Sequence, residues 1–140
     1  MPRETFHKKQ NNKMAKHNEI GKIGENIAKT FLIQKGFHVK SSNERFRFGE
    51  IDLVAEKDSV LHFIEVKSLE IKSVSNINSL KIKPENNLTF WKKRKFKRAV
   101  NLYLSNHDHK NEKLQIDLVC VYVNQETREG KVKFFENIEL

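Results

Sequence analysis

The sequence is poor in cysteine and has no long apolar run, and each shortage excludes a class of protein. Cys120 is the only cysteine among 140 residues, so no intramolecular disulfide and no multi-cysteine zinc site can form. It lies in the apolar run LVCVYV, where a thiol acts as a small hydrophobic side chain. No apolar run approaches the roughly 18 residues of a membrane-spanning helix, and no signal peptide pattern opens the chain. We therefore expect a cytoplasmic protein with no membrane partner.

Acidic residues are also in deficit. Asp and Glu number 18 against 27 Lys and Arg, which gives a formal net charge of +9. Nucleic acid is the commonest partner of such a basic domain, although charge alone leaves a solvated basic surface as an equal alternative. Residues 1–18 carry five Lys or Arg, one Glu and few large apolar side chains. This composition predicts a disordered basic arm.

The hydrophobic pattern of residues 19–140 predicts a single α/β domain with a mixed central sheet flanked by helices. The predicted elements are a helix at 19–35, a strand at 37–41, a hairpin at 49–68, a helix at 89–105, and strands at 114–123 and 131–136. Gly36 follows the first helix as a C-terminal cap. Residues 69–88, which are rich in Ser, Asn and Lys, predict a long loop.

Carboxylates interrupt both strands of the predicted hairpin. A turn centred on residues 58 and 59 places three pairs opposite one another: Ile51 with Val66, Leu53 with Ile64, and Asp52 with Glu65. The first two pairs form an apolar surface, which supports this register. On the other face, Asp52 and Glu65 converge beside apolar neighbours, and such a pair is a candidate site for a hard divalent cation.

Lys67 lies two residues after Glu65 on the same face of the strand. Its ammonium group can neutralise developing negative charge or orient a nucleophilic water. The structural alternative is a diagonal ion pair between Asp52 and Lys67, with Glu65 solvated at a sheet edge. We favour the chemical interpretation because the acids interrupt strongly apolar strands and the lysine stands at a fixed offset.

At these residues the sequence resembles the PD-(D/E)XK nuclease superfamily, whose signature is an Asp on one strand and Glu/Asp-x-Lys on the next. Longer segments resemble the YraN-like family of endonuclease-like proteins: GxxGExxAxxFLxxxGF at 21–37, NERFRFGEIDLVA at 43–55, FIEVKS at 63–68, PENNLTFWKKRKFKRAVNLYL and QIDLVCV. The resemblance covers about residues 20–123. Many members follow the EVK triplet with Thr-Arg, where this chain has Ser68 and Leu69.

The resemblance implies a restriction-endonuclease-like three-layer core, similar to that of Holliday-junction resolvases, and phosphodiester hydrolysis with Mg²⁺ or Mn²⁺. In the junction-resolving relatives a first-helix glutamate completes the metal cluster, and Glu25 is the matching residue here. The alternative for Glu25 is an ion pair with Lys29 on its own helix.

Basic residues on the second helix predict phosphate binding. Six of the seven positions from Lys92 to Arg98 are Lys or Arg, and a run of one sign near a phosphodiesterase site suits nucleic acid. The candidates for nucleic-acid contacts are Lys92, Lys93, Arg94, Lys95, Arg45 and Ser68. Asp117 interrupts its strand as Asp52 does. We rank it below Asp52 as a metal ligand and expect it to orient Lys92 or Arg45 instead.

Together these features predict a metal-dependent DNA endonuclease, with branched or structured DNA as a candidate substrate. One alternative is a basic protein that keeps the nuclease fold and binds nucleic acid without cutting it. Paired carboxylates facing DNA phosphates argue against that reading. A further alternative is an adaptor that docks on RNA or ribosomes through the basic arm. Resolvase-like relatives act as homodimers, while this sequence carries no dimerisation signature of its own.

Overall fold

The structure of the chain, a computed structural model, describes residues 2–47, 49–72, 90–107 and 113–138, with side chains throughout except at residues 2–14, 90 and 91. The elements in these ranges are α1 (Pro2–Gln34), β1 (His38–Phe46), β2 (Gly49–Lys57), β3 (Val60–Glu70), α2 (Phe90–Asn106), β4 (Lys113–Val123) and β5 (Gly130–Phe135). Neither of these helices is long and apolar enough to cross a membrane.

The strands form one mixed sheet in the order β1-β2-β3-β4-β5. β3 and β4 run parallel, and every other neighbouring pair runs antiparallel. A parallel pair requires a crossover connection, and α2 lies in the connection between these two strands. The predicted α/β fold with a mixed central sheet is confirmed, and its arrangement is compatible with a restriction-endonuclease-like core.

The two helices in the described ranges pack on opposite faces of the sheet. Ala28 and Leu32 of α1 are fully buried with alternate residues of β4, such as Val119. Phe96 and Tyr103 of α2 pack with β2 and β3 residues on the other face. Cys120 points away from the α1 face, and burial raises the pKa of its thiol to about 11. The thiol therefore acts as an inert hydrophobic group, as the sequence predicts.

Two boundaries differ from the sequence predictions. Composition predicts a disordered arm over residues 1–18, whereas α1 begins at Pro2 and continues without a break. Proline is favoured at the first helical position, and no glycine occurs before Gly21, so local propensity does not oppose this helix. β3 continues through Glu70 because β4 supplies a parallel partner up to Val123. The predicted loop therefore starts later, and residues 73–88 lie outside the described ranges.

The predicted hairpin register is confirmed over the paired part of β2 and β3. Pairing runs from Lys57↔Val60 to Leu53↔Ile64 and then stops, although both strands continue. From there the start of β2 remains paired with β1, and the end of β3 remains paired with β4. We call this separation of β2 and β3, which begins at Asp52, the sheet split.

The alternation of side chains between the two faces of β2 is interrupted at the sheet split, which corrects one expectation. Ile51 and Leu53 are predicted to share an apolar face, but Ile51 packs against α2 and Leu53 belongs to the α1 cluster. Asn43, which the β1–β2 register sets opposite Asp52, has a φ of 54°. Asparagine is one of the few residues that tolerate this left-handed region, so the irregularity affects both strands beside Asp52.

Two glycines allow each helix to approach one side of the sheet split. A Cβ added to Gly24 of α1 would lie 1.9 Å from Ser68 Oγ and 2.7 Å from Ser68 Cβ. A Cβ added to Gly49 of β2 would lie 2.4 Å from the main-chain oxygen of Lys95 in α2. α1 is thus held against β3 and α2 against β2.

We predict that Gly24→Ala destabilises the fold, although alanine is the better helix former. Ser68 Oγ can rotate away from the new methyl group, but Ser68 Cβ cannot, and such overpacking typically costs about 1–3 kcal/mol. Ser68→Gly should relieve the clash, so urea denaturation of a double-mutant cycle should show the two substitutions offsetting each other.

Gly21→Ala is the matched control on the same helix, because an added Cβ meets no described atom within 4 Å there. Strictly additive effects of Gly24→Ala and Ser68→Gly would show that the two positions do not touch.

Candidate active site

Asp52 and Glu65 meet at the sheet split. Because the backbone pairing has ended, the Val66 amide has no partner on β2, and it donates to Asp52 Oδ2 at 2.8 Å. The Glu65 side chain lies close enough to Asp52 to act on its carboxyl group through both charge and hydrogen bonding. Glu65 is buried, with 6% of its surface exposed, and Asp52 is half-buried. The structure thus brings together the two carboxylates that the hairpin register predicts to be neighbours.

The pKa of Asp52 is raised to about 8. Burial is the largest cause, followed by the negative charge of Glu65, and the hydrogen bond from the Val66 amide opposes them in part. In the absence of a cation, Asp52 therefore keeps its proton at neutral pH and can donate it toward Glu65.

Lys92 reaches the same pair from α2. Its Nζ lies 2.5 Å from Glu65 Oε1, and its side chain remains partly exposed. The sequence predicts that this lysine approaches the site, and the geometry gives it a specific partner there. Glu65 is consequently compensated by a cation on one side and by the proton of Asp52 on the other.

A cleft of about 740 Å³ opens at the sheet split. It brings together six of the predicted site residues: Glu25, Arg45, Asp52, Lys67, Ser68 and Lys92. Glu65 lines an adjoining groove of about 680 Å³, and both cavities share Arg45 and Lys92. We call the first cavity the acidic cleft, because Glu25 and Asp52 line it, and the second cavity the basic groove.

The basic groove runs between α2 and the turn before β2. Arg94 and Lys95 line it together with Arg45 and Arg47, so most of its charged side chains are cationic. Lys93 is half-buried on α2 and lines neither of these two cavities. Two of the three predicted neighbours of Lys92 therefore face the groove.

Glu25 carries an unsatisfied oxygen into the site. Its Oε1 is buried and has no hydrogen-bond partner among the described residues, although Glu25 lines the acidic cleft with Asp52. A buried carboxylate oxygen without a partner is costly unless a cation or ligand completes it. No ion pair with Lys29 is found in the described part of the chain.

The donors suit a hard divalent cation, since all three are carboxylates. As arranged here, the described Asp, Glu, His and Cys residues contain no group of three ready to hold a metal ion. Asp52 and Glu65 are in contact, whereas Glu25 stands apart on the wall of the cleft. The donor chemistry fits, and Glu25 would have to move toward the pair to complete the set.

Asp117 has a structural role, so the expectation that it orients Lys92 or Arg45 is wrong. Its fully buried carboxylate lies 2.6 Å from His62 Nδ1 and accepts hydrogen bonds from the Gln115 side chain and the Asn137 amide. His62 was not among the residues predicted for the site, because its only signal in the sequence is a polar residue in an apolar run. These bonds satisfy the buried acid.

The fold is an α/β sandwich compatible with a restriction-endonuclease-like core, and comparison with known proteins identifies the family of the chain. The model of the uncharacterised protein family UPF0102 matches residues 24–121. A UPF0102 protein of Campylobacter fetus is 34% identical over 121 residues, covering 85% of this chain and 92% of the relative. One of Flavobacterium psychrophilum is 33% identical over 124 residues, covering 89% and 96%.

The chain belongs to the UPF0102 (YraN-like) family, within the PD-(D/E)XK nuclease-like superfamily. The matched range contains the positions of Glu25, Asp52, Glu65, Lys67 and Lys92. The names of these relatives state no activity or substrate.

We predict that the metal-free protein loses stability as pH rises from about 4 to about 8, relative to Asp52→Asn. In this window folded Asp52 binds more protons than the unfolded chain does, because its unfolded pKa is near 3.8. The free energy of unfolding falls with pH wherever the folded state binds more protons. Urea denaturation in EDTA at several pH values should show the difference between variant and wild type growing toward pH 8.

Asp58→Asn, in the exposed turn between β2 and β3, controls for the loss of one negative charge. A difference between Asp52→Asn and wild type that stays constant with pH would contradict the interpretation that folded Asp52 keeps its proton.

Proposed function

We propose that this protein is a metal-dependent nuclease that hydrolyses DNA phosphodiester bonds, with branched or structured DNA as its substrate. The observation that carries the proposal is the contact between Asp52 and Glu65 at the sheet split, beside Lys67 and next to a basic groove. Proteins rarely bury two touching carboxyl groups without a use for them, because the pair costs stability.

Asp52 and Glu65 would hold the divalent cation, and the unsatisfied carboxylate of Glu25 would complete the set. When bound, a cation such as Mg²⁺ or Mn²⁺ supplies Lewis acidity toward the phosphate and a more acidic water. Asp52 must give up its proton to act as a ligand, so binding strengthens as pH rises.

The two lysines have separate tasks. Lys67 lies in the acidic cleft with Asp52, where its ammonium group stabilises negative charge that develops on the phosphate. Lys92 compensates Glu65 in the free protein and reaches both cavities. It can transfer from Glu65 to a substrate phosphate when a cation takes over the compensation of that carboxylate.

The basic groove supplies sequence-independent affinity. Arg94 and Lys95 on α2 and Arg45 on β1 present cations along one cavity that leads to Glu65. Contacts of this kind bind the phosphate backbone and fix its register without reading bases. The groove would therefore hold DNA beside the carboxylate pair.

A second candidate function is nucleic-acid binding without hydrolysis. Two observations favour it: the described residues contain no ready group of three metal donors, and Lys92 already pairs with Glu65. In such a protein the ion pair and the proton on Asp52 would be permanent features of the fold.

We predict metal-dependent cleavage when the protein is incubated with linear, nicked, flapped and four-way DNA in Mg²⁺ and in Mn²⁺. Product should disappear with EDTA, with Asp52→Asn and with Glu65→Gln, because each removes the cation or one of its ligands. Mn²⁺ should also raise the melting temperature of the wild type and leave both variants nearly unchanged, since only a competent site gains binding energy.

Asp58→Asn and Glu126→Gln are matched controls on exposed turns and should cleave as the wild type does. The binding-only function would be favoured if DNA is bound but never cut and Mn²⁺ shifts all the proteins equally.

We predict that replacing Arg94 and Lys95 together with Gln weakens DNA binding and its salt dependence. Each phosphate contact contributes about −0.9 to the slope of log K against log salt, so the slope should become shallower by about 1–2. Fluorescence anisotropy with a labelled duplex at several salt concentrations measures it. Lys113 and Lys131 are exposed on β4 and β5, and their double Gln variant removes the same charge. If both double variants lose the same DNA affinity and the same salt dependence, the net charge of the protein, and not the basic groove, accounts for binding.

A further inference from the structure

Gly21 is a glycine with no internal structural reason to be one. It lies inside α1 and lines the acidic cleft, and an added Cβ there meets no described atom within 4 Å. Added Cβ atoms at Gly24, Gly49 and Gly130 all come within 2.5 Å of a neighbour, and Gly36 has a φ of +92°. Packing or backbone conformation explains each of those glycines, and neither explains Gly21.

A glycine in a helix interior lowers stability relative to alanine. At Gly21 no close packing offsets this loss of stability. The missing side chain leaves free space above the helix backbone. That space belongs to the acidic cleft, one turn of helix before Glu25. A ligand that approaches the helix closely at this point would use it.

The wall of the cleft around Gly21 carries groups that suit nucleic acid. His17, Asn18 and Lys22 line it on the same face of α1, and His17 and Lys22 are exposed. An imidazole ring can stack on an unpaired base, an amide can bond a base edge, and an ammonium group can bind phosphate. Cations opposite them, Arg45 and Lys67, make the cleft attractive to a polyanion despite its two acids.

The size of the cleft limits the form of the nucleic acid. A volume of about 740 Å³ is typical of pockets that enclose a small ligand. It admits a few units of a single strand and cannot enclose the full width of a duplex. The basic groove on the other side of Lys92 is lined mostly by cations, which suits the phosphates of a duplex that lies across it without being enclosed.

We infer that the α1 wall formed by His17, Asn18, Gly21 and Lys22 binds a single strand of nucleic acid, with Gly21 at the point of closest approach. This inference rests on the proposed function, because the strand would lead to the carboxylate pair. It specifies the substrate as DNA with a splayed or single-stranded arm in the acidic cleft and a duplex arm in the basic groove.

The test measures binding in EDTA, where no cleavage occurs. Wild type, Gly21→Ala and Gly21→Leu are titrated against a labelled single-stranded oligonucleotide and against a blunt duplex of the same length. Asn26→Leu places the same side chain at an exposed position of α1 outside the described lining of the cleft. Thermal melting of every variant reports whether the fold is intact.

Gly21→Ala should melt a few degrees higher than the wild type, because it improves helix propensity in open space. Both Gly21 variants should nevertheless bind the single strand more weakly, with Leu the weaker. For Leu the loss should be roughly fivefold to a hundredfold, the effect of losing one strand contact. Duplex binding should stay close to that of the wild type, and Asn26→Leu should change neither.

Unchanged single-strand binding, or an equal loss for single strand and duplex, overturns the inference. A lower melting temperature for Gly21→Ala overturns its premise that the space is open. These results are distinguishable from failure of the proposed function, because binding is measured in EDTA, whereas cleavage is measured separately by comparing the wild type with Asp52→Asn. Conversely, if no cleavage is found with any substrate, a loss of single-strand binding in the Gly21 variants still supports the binding site on α1.

Discussion

The end of backbone pairing between β2 and β3 is the constraint on which the site depends. A continuous ladder would have given the Val66 amide a main-chain acceptor and kept the face alternation of β2 regular. Because the pairing stops at Leu53↔Ile64, the amide donates to Asp52 Oδ2 instead. The carboxyl groups of Asp52 and Glu65 then meet in the space between two strands that are each still paired on their outer side.

This arrangement places the acidic groups of Asp52 and Glu65 in a buried position, where they lower the stability of the fold. Burial and the neighbouring acid raise the pKa of Asp52, and Lys92 must reach across from α2 to compensate Glu65. The left-handed backbone of Asn43 adds a further local strain on the opposite strand. Strain, buried charge and an unsatisfied Glu25 oxygen all concentrate at one end of the sheet, which is a common property of functional sites. The buried Asp117, which is fully hydrogen-bonded to its neighbours, shows how the same chain treats an acid that serves only structure.

The helices convert the split into two cavities of different character. α1 is held on β3 by the contact of Gly24 with Ser68, and its exposed face becomes one wall of the acidic cleft. α2 is held on β2 by the contact of Gly49 with Lys95, and its cations line the basic groove. Lys92 and Arg45 belong to both cavities, so occupancy of one cavity can influence the other through these two side chains.

The sequence by itself determined the elements, the hairpin register and the pairing of Asp52 with Glu65, because these depend on local periodicity and on a short turn. It also indicated the family, through motifs that run with few gaps from residue 21 onward. Tertiary structure alone decided where the pairing of β2 and β3 ends, because the hydrophobic pattern of a strand does not show where its hydrogen bonds to the neighbouring strand stop. It also decided that Asp117 meets His62, 55 residues away, rather than a lysine or arginine of the site. The clearest case is Gly21 and Gly24, two glycines of one motif on one helix. One faces a strand at contact distance and the other faces an open cleft, and only the packing of α1 on the sheet distinguishes them.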